Sequence, residues 1–303
     1  MHQSITNRFS TRICLSSSVA ALLFLFLGGD CRVAEAQSKV EEVALNTIEK
    51  NIEYGKADGE SLKLDLYLPS KKTGEEEALS PAVVFVHGGG WTGGDKSGWS
   101  KQAKELAQNG YVAISVDYRL APKHRYPAAV QDCQAAVRWL RLNAVKYHVA
   151  VDKIGSMGDS AGGHLASYLG VRDHGIPDVK TSSKVNCVVD YYGRMDLALS
   201  GGAHDYRSDF IGKSLPGGLE EYKAASPITY VDKTSAPFLI VQGANDPQVE
   251  PAQSYNMMTA LNKAGVEATL IVLSGQGHGF NGRPAKDAWE AAKSFFDRHL
   301  KRK

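Results

Sequence analysis

A serine set between glycines is the first residue in the chain whose surroundings suggest chemistry. Gly158-Asp159-Ser160-Ala161-Gly162 fits G-x-S-x-G and lies where the run "KIGSMG" gives way to a helical pattern. A glycine-flanked strand-to-helix turn can cradle a phosphate on backbone N–H groups, or hold a serine on a sharp, exposed bend as a nucleophile. The phosphate-loop pattern G-x-x-x-x-G-K-[ST] does not occur here, and no lysine follows within reach. The nucleophile reading is the one that makes demands on the rest of the chain.

A nucleophilic serine needs a base, and the base needs a group that orients it. "LSGQGHGF" puts His278 in a glycine-rich loop after an apolar run, and "LIVQGANDPQVEP" puts Asp246 just past the run before it. The order Ser160, Asp246, His278 is that of the strand-turn-helix class of triad. Acyl transfer also needs N–H donors where an oxyanion develops, each worth about 2.7–4 kcal/mol in the transition state. "VFVHGGGW" supplies three glycines directly after a buried run. Gly89 and Gly90 are the expected donors, with Ala161 at the start of the nucleophile helix and Trp91 N–H as a substitute for a glycine. His87 is expected to hold this loop by hydrogen bonds. Glu250, Asp205 and Asp209 are rival acids. His124, His148, His164, His174, His204 and His299 read as packed or surface residues. Asp117, Arg119 and Asp132 read as a structural ion-pair and turn set beneath the site.

These residues need a scaffold that brings strand ends together. "SLKLDLYLP" alternates strictly, with leucines on one face and Lys63, Asp65 and Tyr67 on the other, which predicts a strand with one solvated face. With "NTIEKNIEYG" it predicts an antiparallel pair turning at "KADGE". "AVVFV", "YVAISV", "VNCVV", "FLIVQ" and "ATLIVL" are nearly continuous apolar runs, as expected of strands buried on both faces. "KIGSMG" is a weaker sixth. Helical patterns over 98–108, 127–147, 161–169, 251–264 and 285–300 alternate with them, predicting an α/β doubly wound, mostly parallel sheet of about eight strands. The long connection around 194–230 predicts a small helical lid rather than a second domain.

The same motifs carry a resemblance. "LKLDLYLP", "HGGGWTGGDK", "YVAISVDYRLAP", "YPAAVQDCQAAVRWLRLNA", "GDSAGGHLA", "GANDPQVEP" and "GHGF", in that order, resemble the α/β-hydrolase-fold esterases. The nearest likeness is to bacterial relatives of hormone-sensitive lipase and the acetyl- and feruloyl-esterase branch. The resemblance implies that fold, a Ser160-His278-Asp246 triad, the glycine-loop oxyanion hole and no metal or organic cofactor. It also implies an ester substrate, a small molecule or one linked to plant polysaccharide through acetyl or feruloyl groups. One departure is "YYGRMDL", where relatives often carry a proline at Arg194 or its neighbour. An amidase or peptidase of the same fold, and a non-catalytic binding protein on a hydrolase scaffold, are the competing readings.

Composition bounds the rest. The 303-residue chain has a formal net charge of +2, which gives no basic excess for nucleic acid. Arg8 and Arg12 precede "VAALLFLFLGG" and then "AEA", the pattern of an export signal over residues 1–36, with a catalytic domain from 37 to 303 in the periplasm or outside the cell. The apolar core is too short to cross a bilayer, which takes roughly 20 residues. Cys133 and Cys187 remain after cleavage, as a permitted disulfide or two buried thiols.

Overall fold

The computed structural model describes residues 47–70, 78–173, 180–199, 206–215 and 217–301. By its contacts the chain divides into Met1–Glu42 and Val43–Lys303, and every described residue belongs to the second unit. The expected export signal lies outside the described residues.

Eight strands form one sheet: β1 (Ile48–Ala57), β2 (Glu60–Tyr67), β3 (Ser80–Val86), β4 (Val112–Val116), β5 (Val149–Asp159), β6 (Cys187–Tyr191), β7 (Phe238–Gly243) and β8 (Ala268–Leu273). Their order across the sheet is β1-β2-β4-β3-β5-β6-β7-β8. β1 and β2 pair antiparallel across Asp58-Gly59, both at positive φ (50° and 78°), the tight turn expected from "KADGE". β2 is antiparallel to β4, and every later pairing is parallel.

Alternate residues of the parallel strands feed two cores. On β3, Val84 and Val86 face α2 (Ala128–Leu142), α4 (Ala161–Val171) and α7 (Ala252–Lys263). Val83 and Phe85 face α1 (Ser100–Gln108) and α8 (Gly282–Phe296). α3 (Ala144–Tyr147) is a short turn leading into β5. Cys133 and Cys187 fall in different cores, and both are free, buried thiols. Within 194–230 stand α5 (Arg207–Ile211) and α6 (Leu219–Ala225), whose Phe210, Tyr222 and Ala225 are buried in the first core.

Two local expectations need correcting. The second face of β2 is solvated only in its first half: Ser61 and Lys63 are exposed, but Asp65 and Tyr67 are buried. Lys50 Nζ and Asn51 N–H, at 2.8 and 2.9 Å, satisfy the Asp65 carboxylate, and Tyr67 Oη donates to Ser100 Oγ at 3.0 Å. A charged residue alternating with leucines thus marks a paired group beneath β1 and α1. β8, in turn, is not buried on both faces. It pairs with β7 at the end of the sheet order, and Val272 is 38% exposed.

Inside β6 lies an unusual carboxyl. Asp190 is fully buried; its Oδ1 accepts the Gly193 N–H at 2.9 Å, while Oδ2 has no hydrogen-bond partner among the described residues. Burial, reinforced by the nearby Asp159 charge and opposed by the Gly193 N–H, pushes it up to about 8. The folded protein therefore holds this proton at pH values where the unfolded chain has lost it, so stability falls as pH rises from about 4 to about 8. Asp190→Asn, isosteric with the neutral acid, should remove that slope of up to about 1.4 kcal/mol per pH unit. Urea denaturation at pH 5 and pH 8 checks it: the variant's gain in stability over wild type should be several-fold larger at pH 8 than at pH 5.

Candidate active site

The chain leaves β3 toward β4 on one side and later returns to β5 on the other, so the loops after β3 and β5 diverge. Such a switch point at the carboxyl ends of parallel strands is where ligands bind in this architecture. The β3 exit carries His87 to Trp91, and the β5 exit carries Ser160.

Ser160 sits at φ 52° and ψ −120°, a conformation disfavoured for any side chain. Its N–H donates to Tyr191 O at 2.8 Å, tying the bend to the end of β6. The flanking glycines are needed because the turn closes on itself. A Cβ on Gly158 would run into the Gly162 carbonyl, and one on Gly162 into the Val86 carbonyl. The bend presents Oγ at 2.9 Å from His278 Nε2, and His278 Nδ1 stands 2.8 Å from Asp246 Oδ2. The structure thus brings the three residues picked from the sequence into one hydrogen-bonded line.

Asp246 is buried and fully engaged. Its Oδ1 accepts the Gln248 and Val249 N–H groups at 2.8 and 2.9 Å, and Oδ2 accepts Gln242 Nε2 at 3.1 Å besides His278. Burial raises its pKa, but the His278 bond and the backbone N–H donors outweigh burial and hold the carboxyl below its ordinary value. With Asp246 ionised, His278 carries its proton on Nδ1 and offers the Nε2 lone pair to Ser160. Glu250, the rival acid, stands instead at 3.9 Å from Arg194. Asp209 lies on α5, and Asp205 lies outside the described residues.

The glycine loop is shaped by positive φ at Gly89 (116°), Gly90 (59°) and Trp91 (61°). Gly88 N–H is spent on Asp159 Oδ1 at 3.0 Å, which leaves the next N–H groups as the loop's donors. Ala161 is the first residue of α4, where helix geometry leaves the N–H without an intrahelical partner. Gly90, Trp91, Ser160 and Ala161 line one small cavity, and Gly89 lies on the other side of the loop. His87 is a loop holder: Nδ1 donates to Gly88 O at 2.7 Å and its ring stacks on Tyr118 at 4.3 Å. Burial lowers its pKa, keeping it neutral. Arg119 and Asp132 form the expected buried pair at 2.7 Å, and Asp117 accepts from Lys96.

Three supporting residues escaped the sequence reading. Asp159 Oδ1 accepts from both Gly88 N–H and Trp99 Nε1, so the residue before the serine fixes the glycine loop. Burial raises its pKa against those bonds. His164, expected to be a packed or surface residue, lies one helical turn beyond Ser160 and accepts Trp91 Nε1–H at 3.1 Å. Its Nε2 donates to Ala225 O at 2.7 Å, linking the loop to the insertion. Tyr192, at φ 42°, sets its ring 4.8 Å from the His278 ring. A charged residue inside the G-x-S-x-G turn was a usable signal for Asp159, and the i,i+4 spacing from Ser160 one for His164.

The BD-FAE family model matches residues 64–261, a span that runs from β2 through the elbow to α7. The chain belongs to the BD-FAE family. It also resembles esterase LipC of Mycobacterium tuberculosis, 32% identical over 219 residues, covering 67% of this chain and 53% of LipC. The chain thus spans about half the length of that curated relative. A truncated carbohydrate esterase from gut microbiota superposes with a TM-score of 0.74 at 29% identity, covering 86% of this chain and 99% of that one. Thermogutta terrifontis esterase Est2 with propionate bound superposes at 0.71 and 28% identity, covering 86% and 98%. This BD-FAE member has the α/β-hydrolase fold of those solved esterases. Among its described residues no helix is long and apolar enough to cross a membrane.

Proposed function

We propose that this chain is an exported carboxylic ester hydrolase that works through an acyl-enzyme on Ser160 and takes short acyl groups, acetyl before feruloyl, from polysaccharide side chains. The observation that carries it is the hydrogen-bonded line from Asp246 through His278 to Ser160, opening on a cavity of about 20 Å³. In this reading Ser160 Oγ bonds to the ester carbonyl carbon while its proton passes to His278 Nε2. The N–H groups of Gly89, Gly90 and Ala161 hold the oxyanion. His278 returns the proton to the departing alkoxide, and water then repeats the sequence to free the acid. The polysaccharide assignment draws support from the carbohydrate-esterase neighbour, and export from the basic, apolar and A-x-A run over residues 1–36.

The acyl limit follows from the groups that close the small cavity. Arg194 and Tyr206 line it together with Ser160 and His278. The buried Arg194 guanidinium donates to the Gln248 carbonyl and pairs with Glu250, clamping the loop that carries Asp246 against the β6 exit. The space holds one or two water-sized groups, enough for a methyl but not for an aromatic acyl chain. Hydrolysis of 4-nitrophenyl esters from two to twelve carbons, with methyl ferulate and acetylated xylan alongside, tests the reading. The rate should fall steeply beyond short chains, and acetylated xylan should be deacetylated. Arg194→Ala should move the optimum to longer chains, raising the six-carbon to two-carbon ratio of kcat/KM by about tenfold, equivalent to burying one or two extra methylenes. Turnover of methyl ferulate ahead of acetyl esters would reject the acyl assignment, and no turnover of any ester would reject the hydrolase reading.

A further inference from the structure

We infer that His164 is a positioning residue for the hydrolysis, the strut that keeps the two halves of the oxyanion hole at one separation. This rests on the acyl-serine reading above. The donors come from two places, the glycine loop after β3 and the N-terminus of α4. An oxyanion is held only where both sets of N–H groups reach one point. Gly89, Gly90 and Trp91 all stand at positive φ, and for Trp91 (61°) that conformation persists only where its surroundings impose it. They impose it on three sides. The buried indole stacks on Phe210 at 4.7 Å, the Trp91 carbonyl accepts the Ala121 N–H at 2.9 Å, and the indole Nε1–H donates to His164 Nδ1 at 3.1 Å. The last of these leads directly to α4. His164 belongs to the helix that Ala161 begins, and its own N–H donates to Ser160 O at 3.0 Å.

Both ring nitrogens of His164 are committed, and their partners leave one tautomer. An indole N–H only donates and a carbonyl only accepts, so Nδ1 is bare and Nε2–H donates to Ala225 O at 2.7 Å. Burial, opposed by the Ala225 carbonyl, pushes the His164 pKa down to about 4, so Nδ1 stays bare at neutral pH. The far end of the strut is fixed as well. Ala225 ends α6, where helix carbonyls lack intrahelical partners. The neighbouring Ala224 O accepts the Tyr126, Tyr168 and Tyr230 hydroxyls at 2.7, 3.1 and 2.8 Å. An imidazole held at both nitrogens has no freedom to tilt, so Trp91 keeps its place relative to Ala161. Packing alone would ask for an apolar side chain here, whereas two directed bonds ask for this ring.

Three variants assayed on 4-nitrophenyl acetate test this. His164→Leu gives up both bonds. His164→Asn gives up the Ala225 bond but can place its amide oxygen where Nδ1 stands, and Trp91→Phe removes the indole donor while keeping a ring on Phe210. His164→Leu should lower kcat about 10- to 100-fold with KM within about threefold, the effect of displacing an oxyanion donor. Trifluoroacetone probes the hole directly: Ser160 Oγ adds to its carbonyl carbon, the serine proton passes to His278, and the ketone oxygen becomes the oxyanion. Its Ki should rise by the same factor as kcat falls. His164→Asn should recover kcat by about fivefold or more over His164→Leu, the worth of one hydrogen bond. Trp91→Phe breaks the same bond from its other end, so the double variant with His164→Leu should fall no more than about threefold below the lower single. A lowered Tm with wild-type kcat in His164→Leu, no recovery in His164→Asn, or losses that multiply in the double variant overturns the proposal. Should His164→Leu not fold, wild-type kcat in Trp91→Phe overturns it instead. A wild type that turns over no ester and takes no label from a fluorophosphonate overturns the acyl-serine reading itself.

Discussion

Ser160→Ala should lower kcat on 4-nitrophenyl acetate by about 10⁵- to 10⁶-fold and leave the protein folded. The size of the loss follows from the role of Oγ in the proposed cycle: it is the atom that bonds to carbon, and neither neighbour replaces it. What survives is the contribution of the N–H donors and of binding, about 10³- to 10⁴-fold over water. Stability should barely change, because alanine keeps the Cβ and loses one hydroxyl contact, that to His278.

The strained backbone adds a second readout at the same position. With φ 52° and ψ −120°, Ser160 holds a conformation that costs a side chain about 1–3 kcal/mol. Ser160→Gly removes the Cβ and relieves that strain, offset by about 0.4–1 kcal/mol of added chain entropy in the unfolded state. Ser160→Gly should therefore be inactive and more stable than Ser160→Ala. Tm and urea midpoints for the two variants, beside single-turnover rates, separate the predictions. A Ser160→Ala protein within tenfold of wild-type kcat would remove Ser160 from the chemistry.

The triad could be read from the chain because each member follows an apolar strand in a glycine-rich exit, and parallel strands bring such exits to one edge. Ser160 follows β5, Asp246 follows β7 and His278 follows β8. Among the parallel strands the one leading to Ser160 gave the weakest signal, for a physical reason. β5 runs through the middle of the sheet, where helices on both faces approach closely and small residues take the place of large apolar ones. A Cβ on Gly155 would press on the Phe296 ring and on Cys187, and Ser156 Oγ is tied to the Ala166 carbonyl of α4. β5 reads as less apolar than the other parallel strands because that close approach leaves room at Gly155 and Ser156 only for small residues. Asp65, Asp159, Asp190 and His164 share another kind of illegibility. Each is a polar residue made tolerable in the interior by partners distant in sequence or, for Asp190, by keeping its proton. Composition places such residues outside; only the fold supplies the donor that brings them in.

Asp246→Asn should lower kcat by about 10⁴-fold with little change in KM, through the position of one proton. Oδ1 accepts two backbone N–H groups, from Gln248 and Val249, so the substituted amide keeps its oxygen there. Its NH₂ then points to the place of Oδ2, toward His278 Nδ1 and Gln242 Nε2. Gln242 cannot turn to receive it, since Nε2 also donates to Val249 O at 3.1 Å and Oε1 accepts from Ser254 at 2.8 Å. His278 is the partner that can adapt, by presenting a bare Nδ1 to the amide and moving its proton to Nε2. That proton then faces Ser160 Oγ, where the cycle requires a lone pair. The imidazole is still present and still placed, but in the tautomer that cannot accept a proton. In the wild type, against the opposing effect of burial, the His278 bond and the backbone N–H donors hold the Asp246 pKa below its ordinary value, so the carboxylate that fixes the Nδ1 proton stays ionised into the acid range. ¹⁵N shifts of the His278 ring should show the proton moving from Nδ1 in wild type to Nε2 in Asp246→Asn. A full loss of activity with the proton still on Nδ1 would mean the carboxylate acts through its charge, and nearly normal kcat would mean His278 takes its orientation from Tyr192 instead.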